Sequence, residues 1–288
     1  MASLAVSISV NAQSLPFLNI PSDPENLGVG SSSVARCADA FAVDNNAASA
    51  ALSDMKGDFA VTYGSWSPKN SKDALANLGG FLRFDRLAVG FSAKYMLEQP
   101  YDLFDINGAP DGSFTPIEFS AGLGVSYRIV DGLSAGVTAR FASSSLAEGY
   151  NASVFCADIA LMYRKGGLGL GLSIDNLGTP ADYGNGASPI PSLVRAGASY
   201  SISGFTGSAQ AAYLFAGSFM ASAGAEYAVK DILFLRAGYQ YGSGAAAIPS
   251  HASVGLGLKF VGIRINATYL LGSEAIGGSM MFGLGYGF

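Results

Sequence analysis

The chain has 288 residues, 50% of them hydrophobic and only 13% charged, with 38 glycines and a net charge of −5 at pH 7. That acidity excludes a nucleic-acid binder, which needs a basic surface to neutralise phosphates, and two distant cysteines with one histidine exclude a zinc site or a disulfide-rich scaffold. A soluble domain carries about 25% charged residues, yet no stretch supplies the roughly 18 unbroken apolar residues of a membrane-spanning helix. The apolar residues are instead spread by alternation, and lipid admits only helices and closed barrels.

Met1 to Ala12 are small and apolar and end in Val10-Asn11-Ala12, the spacing of a signal-peptidase site. With no Lys or Arg before Arg36, residues 1–12 read as the remnant of a signal peptide, with maturation after Ala12. Residues 13–56 differ from all that follows. Phe17 to Pro21 is extended and Ala38 to Met55 is alanine-rich with helical character, which predicts a short segment plugging the lumen of a barrel.

From Gly57 to Phe288 the pattern has period two. Leu87, Val89, Phe91, Ala93 and Tyr95 alternate with Gly90, Ser92 and Lys94; Leu233, Leu235, Ala237, Tyr239 and Tyr241 alternate with Arg236, Gly238 and Gln240. The same reading holds for Ile263, Ile265, Ala267 and Tyr269 against Arg264, Asn266 and Thr268. Each is a strand between two solvents, and about fourteen in succession predict an all-β, transmembrane antiparallel barrel.

Tight turns are expected at Asp85-Arg86, Val130 to Gly132, Arg164 to Gly166, Ser203-Gly204, Val229 to Asp231 and Val261-Gly262. Longer links are expected over 98–115, 143–151, 178–191, 242–249 and 271–277. Short turns on one side and long loops on the other mark a barrel of the Gram-negative outer membrane, with the short side and both termini periplasmic. Its surroundings are then outer-membrane lipid and lipopolysaccharide. Tyr95 at one interface and Tyr127, Tyr163 and Tyr227 at the other suit the aromatic girdles. The last strand presents Met280, Phe282, Leu284, Tyr286 and Phe288 outward; its Tyr286 and terminal Phe288 resemble the signal read by barrel assembly machinery.

The inward rows carry Lys94, Glu118, Arg128, Arg140, Asp158, Arg195, Glu226, Arg236 and Arg264. Basic residues outnumber acidic ones, which fits either an anion-leaning pore or an ion-pair network in a plugged lumen. The plugged reading is preferred, because segment 13–56 needs a place and many inward positions are Gly or Ala. Motifs such as Gly122-Leu123-Gly124 and Gly255-Leu256-Gly257 complete no dinucleotide fingerprint. Their leucines face lipid and their glycines leave room on the lumen side. His251 beside Ser250 is expected at a strand rim rather than in a catalytic site, and no enzyme activity, cofactor or metal is expected. Cys37 and Cys156 are candidates for a bridge pinning the plug to the wall, or else for buried free thiols.

Phe17-Leu18-Asn19-Ile20-Pro21-Ser22-Asp23, Leu27-Gly28-Val29-Gly30, Ala38-Asp39-Ala40 and Asn46-Ala47-Ala48 resemble the opening of the PorV/PorQ family, FadL-like outer-membrane barrels associated with type IX secretion. The resemblance singles out Phe17, Leu18, Ile20, Asp23, Gly28, Gly30, Asp39 and Asn46 as a plug motif. It implies a binding platform for secreted proteins or other secretion components, with Phe104 and Phe114 in the first long loop as apolar contact candidates. The competing expectation is a FadL-like transporter of hydrophobic small molecules, which would need an apolar pocket beneath the loops.

Overall fold

The computed structural model describes residues 13–288 apart from 68, 70, 71, 185 and 246; the expected signal remnant, 1–12, lies outside the described residues. The alternating rows form β1 (Gly57–Trp66), β2 (Asp73–Phe84) and β3 (Leu87–Leu97), then a small hairpin of β4 (Tyr101–Phe104) and β5 (Pro110–Phe114). After it come β6 (Ile117–Val130), β7 (Leu133–Ala147), β8 (Tyr150–Lys165) and β9 (Leu168–Gly178). A second hairpin, β10 (Ala181–Asp182) and β11 (Ala187–Ser188), precedes β12 (Leu193–Ile202), β13 (Phe205–Leu214), β14 (Ser218–Val229) and β15 (Leu233–Gly242). The chain ends with β16 (His251–Phe260), β17 (Ile263–Leu271) and β18 (Met280–Gly287).

Leaving out the two hairpins, the strands pair antiparallel in chain order and β1 pairs with β18 from Asp58↔Gly287 to Ser65↔Met280, closing a 14-strand barrel. Closure removes every sheet edge, as a strand in hydrocarbon requires. The lipid-facing rows are apolar and exposed, as in Leu123, Val125, Leu256, Leu258, Phe282 and Leu284. Among the described residues no helix is long and apolar enough to cross a membrane.

All six expected tight turns lie at one end of the barrel. Of the expected long links, 143–151 is a correction. β7 and β8 stay paired through Ala147↔Tyr150 and turn at Glu148-Gly149, with Gly149 at φ 77°. Its serines made this stretch read as a loop, but they are sheet residues. Ser144 faces the lumen and donates to Glu118, while Ser143 and Ser153 pair across the strands on the other face.

Residues 13–56 lie inside the barrel. They carry short helical turns at Pro16–Asn19, Pro24–Leu27, Ala42–Asn45 and Ala47–Leu52, each too brief to stand alone and held by the wall. The segment begins at the loop end, where Ser14 N–H donates to Pro189 O (3.0 Å), and leaves at the turn end, where Lys56 N–H donates to Phe288 O (2.7 Å). Ser14 and Phe288 therefore lie at opposite ends of the barrel.

Candidate functional site

The plug fits because the wall is glycine on its inner rows where the plug backbone passes. A Cβ on Gly238 would sit 2.2 Å from Gly30 N and Val29 C, and one on Gly171 would sit 1.9 Å from Val34 O. Gly30 itself has φ 68° and lies against the backbone of Tyr239, a place only glycine fills without strain. Leucine-flanking glycines read from the sequence as lumen spacers thus receive a specific backbone, as at Gly255, whose Cβ would sit 3.3 Å from Gly28 Cα.

Charge fixes the register of the plug. Arg140 on β7 pairs with Asp44 of the plug at 2.9 Å and with Asp158 on β8 at 3.3 Å. Arg195 on β12 pairs with Asp175 at 2.7 Å and reaches the carbonyl of Asp44. Glu25 of the plug receives Arg264 at 3.2 Å and Arg236 at 3.4 Å; Arg264 also pairs with Asp58 and Arg236 with Glu226, each at 2.6 Å. Arg36 of the plug completes the set on Glu226 at 3.1 Å. The wall's surplus of arginine therefore meets carboxylates of the plug, and not a conducting lumen. Asp44, Glu25 and Arg36 were missed in the sequence, since the plug has no periodicity to point its side chains; Asp58 and Asp175 were missed at the ends of the wall strands β1 and β9.

Within the plug, Asp23 and Asp39 are tied by amides. Asp23 caps Pro24–Leu27, accepting from Asn26 N at 2.6 Å. Asn26 Nδ2 donates to both carboxylates at 3.1 Å, and Asn45 Nδ2 to Asp23 at 3.0 Å. Asn46 Nδ2 spans from Val34 O (2.7 Å) to Leu161 O on the wall (3.1 Å). Burial pushes the Asp39 carboxyl well above its usual range, reinforced by Asp23, Glu25 and Asp58. Burial acts on Asp44 in the same direction, but Arg140 and Lys94 outweigh it and hold that carboxyl at about 2.

Among the described residues Lys94 forms no ion pair. Its buried Nζ donates to the carbonyls of Phe17, Leu18 and Ile20, anchoring the first stretch of the plug. That stretch fills the space beneath the loops. Leu15, Phe17, Ile20 and Leu27 pack with Trp66, Leu75, Met96, Ile190, Leu270 and Ile276 in one apolar cluster. Below it lies a cavity of ≈ 80 Å³ whose lining mixes charged side chains (Lys94, Arg140, Arg195, Asp44, Asp158 and Asp175) with apolar ones such as Leu18, Ile20, Leu193 and Ile248, and which has room for only a few waters.

Glu118 sits at the loop end on Ser144. Arg128 stands on the lumen-facing row of β6 at the turn-end mouth, paired with exposed Asp85 at 3.2 Å. At the loop end Phe104 is exposed, whereas Phe114 stacks on Tyr101 within the hairpin at 5.9 Å. Ile106, at the hairpin tip, is 102% exposed and was missed, because a single apolar residue in a polar loop carries no pattern. Of the two readings left open for Cys37 and Cys156, a bridge or free thiols, the structure has both cysteines free. Cys156 packs in the apolar cluster beneath the loops and Cys37 is exposed. His251 is buried, its Nδ1 on Pro249 O at 2.8 Å, and Ser250 bonds Gly242 instead, so these two make no nucleophile–base pair. Among the described residues no group of ligands could hold a metal.

An alternating, closed wall with an N-terminal segment folded into its lumen defines a FadL-like outer-membrane β-barrel. The chain belongs to the PorV family: residues 6–202 match the type IX secretion system protein PorV. Among solved structures it resembles the toluene transporter TodX of Pseudomonas putida (14% identity, 90% of this chain and 95% of that one, TM-score 0.65). It is similar to the toluene transporter TbuX of Ralstonia pickettii (12%, 92% and 97%, TM-score 0.67) and to a FadL homologue of Pseudomonas aeruginosa (12%, 93% and 98%, TM-score 0.60). At such identities the likeness is one of fold. No curated protein sequence matches the chain significantly.

Proposed function

We propose that this barrel is a non-enzymatic binding platform of type IX secretion, with its tight turns in the periplasm and its loop end receiving secreted proteins or other secretion components. The observation that carries the reading is the filling beneath the loops. A transporter of hydrophobic molecules needs an apolar pocket there, and Leu15, Phe17 and Ile20 occupy that space themselves. The cavity below is small, and buried charged side chains share its lining with apolar ones, which makes it a poor host for hydrocarbon. Family membership supports the secretion assignment, and short turns on the periplasmic side are the rule for such barrels. The projecting hairpin with Phe104 and Ile106 offers a partner an apolar contact at the loop end.

Gentle extraction from native membranes followed by mass spectrometry of the intact complex tests this. The expected result is one or more protein partners at defined stoichiometry, lost on Phe104→Ser with Ile106→Ser. Retained lipid or hydrocarbon in the lumen with no protein partner would instead support the transporter.

A further inference from the structure

The two ends of the barrel differ in charge. Acidic residues predominate at the loop end (Glu98, Asp102, Asp105, Asp111 and Glu274 against Lys69 and Lys72) and basic ones at the turn end (Arg83, Arg86, Arg128, Arg164, Lys165 and Lys259 against Asp54, Asp85, Asp131 and Asp231). Three of those arginines do not point along the membrane rim. Arg83, Arg128 and Arg164 continue the lumen-facing rows of β2, β6 and β8, two residues beyond the buried Phe81, Ser126 and Met162. They lie over the mouth of the lumen, where a cleft of ≈ 480 Å³ runs between the turns and the departing plug at Leu52 to Asp54.

We propose that this cleft is a docking site for an acidic, extended segment of a periplasmic protein; the periplasmic placement rests on the orientation proposed above. Four features argue for it. The arginines are incompletely neutralised: Arg83 bonds the carbonyls of Met55 and Asp85 and pairs with no carboxylate among the described residues, and Arg128 Nε is buried without a partner. Asp54 and Asp131 line the cleft and Asp85 lies at its edge on Arg128; the two paired carboxylates, Asp85 on Arg128 and Asp54 on Arg164, are each 85% exposed, and such open pairs exchange readily for an incoming carboxylate. Guanidinium is the group that binds carboxylates in a fork, with direction as well as charge.

The fourth feature is span. Arg83 and Arg164 are separated by four strand-to-strand steps, roughly 19 Å along the wall at the usual spacing. One phosphate cannot cover that distance, whereas an extended peptide of about six residues does. A lipid headgroup is excluded by position, because the cleft lies inside the ring of turns and borders the plug, away from the outer face of the wall.

The test is fluorescence anisotropy of a labelled octa-glutamate peptide against the detergent-purified full chain, with folding of every variant checked by heat-dependent gel mobility. Binding is expected at low salt, weakened at least tenfold by Arg83→Gln with Arg128→Gln and weakened again by salt. Lys230→Gln with Lys259→Gln, on the far rim, leaves it unchanged. Three results overturn the proposal: no binding, equal loss in the far-rim variant, or displacement by inorganic phosphate as effective as by unlabelled peptide at equal charge. None depends on the loop end, so a failed docking site and a failed platform reading remain distinguishable.

Discussion

Arg140 on the wall holds Asp44 on the plug at 2.9 Å, and both side chains are about nine-tenths buried, at 8% and 11% exposure. Removing one partner of a buried pair leaves the other charged in a dry place, at a cost of about 3 to 5 kcal/mol. Arg140→Ala abandons Asp158 as well, so the plug loses its central anchor. The expected outcome is new trypsin cleavage after Arg36, which the folded plug keeps 11% exposed against Glu226. Arg140→Lys, which keeps the charge, should show much less cleavage.

The glycine-lined wall makes a steric prediction of its own. Gly238→Val places a branched side chain where Val29 and Gly30 already lie at 2.2 Å from a bare Cβ. Overpacking of this kind costs about 1 to 3 kcal/mol where neighbours can give way. Here the neighbour is backbone, so the plug must move. Calorimetry should show a lowered melting temperature together with trypsin cleavage after Arg36. A fall in stability with no cleavage would mean that the wall distorts and the plug holds.

The barrel was legible in the sequence because a strand between lipid and lumen must alternate, and that rule acts on every strand equally. The plug was legible as a segment but not as a site. Asp44, Glu25 and Arg36 gain their meaning from charged wall residues about 100 to 240 positions away, as with Glu25 and Arg264, separated by 239. The bend in β9 was hidden for a related reason. Asn176 adopts φ 58° where β8 and β9 slip register between Ala157 and Ile159, and its N–H donates to Asp158 at 2.7 Å. A bulge of one residue leaves the surrounding alternation readable and shows only in three dimensions.

Asp39 makes stability depend on pH with a definite sign. Burial and the nearby Asp23, Glu25 and Asp58 raise its folded value well above that of the unfolded chain. Between those two values the folded state binds more protons, so stability falls as pH rises. The melting temperature should therefore decline as pH rises above the ordinary carboxylate range, and Asp39→Asn should flatten the decline. Asp44 works the other way. Held at about 2, it stays charged through this window and its pairing is lost only in stronger acid.

Cys37 and Cys156 separate folded from unfolded protein chemically. Cys37 is exposed and Cys156 is buried at 6% exposure in the apolar cluster beneath the loops. Maleimide should add one label to the native barrel, at Cys37, and a second only after denaturation. Two labels on the native protein would place Cys156 in contact with solvent.

Phe288 joins a backbone role to a side-chain role, and the two can be pulled apart. Its N–H donates to Gly57 O at 3.0 Å and its carbonyl accepts from Lys56 N and Gly57 N, so the last residue closes the β1–β18 seam through its main chain. Its ring, 51% exposed, lies at 6.3 Å from Phe59 and 5.9 Å from Tyr286 on the lipid side. Phe288→Ala keeps every seam bond and removes only the ring. If the ring acts as an assembly signal, folding of the variant into lipid vesicles without any machinery should match the parent, while its level in cellular outer membranes drops several-fold. Equal losses in both would make the ring a packing element of the seam, since the aromatic stack, and not a receptor, would then account for the defect.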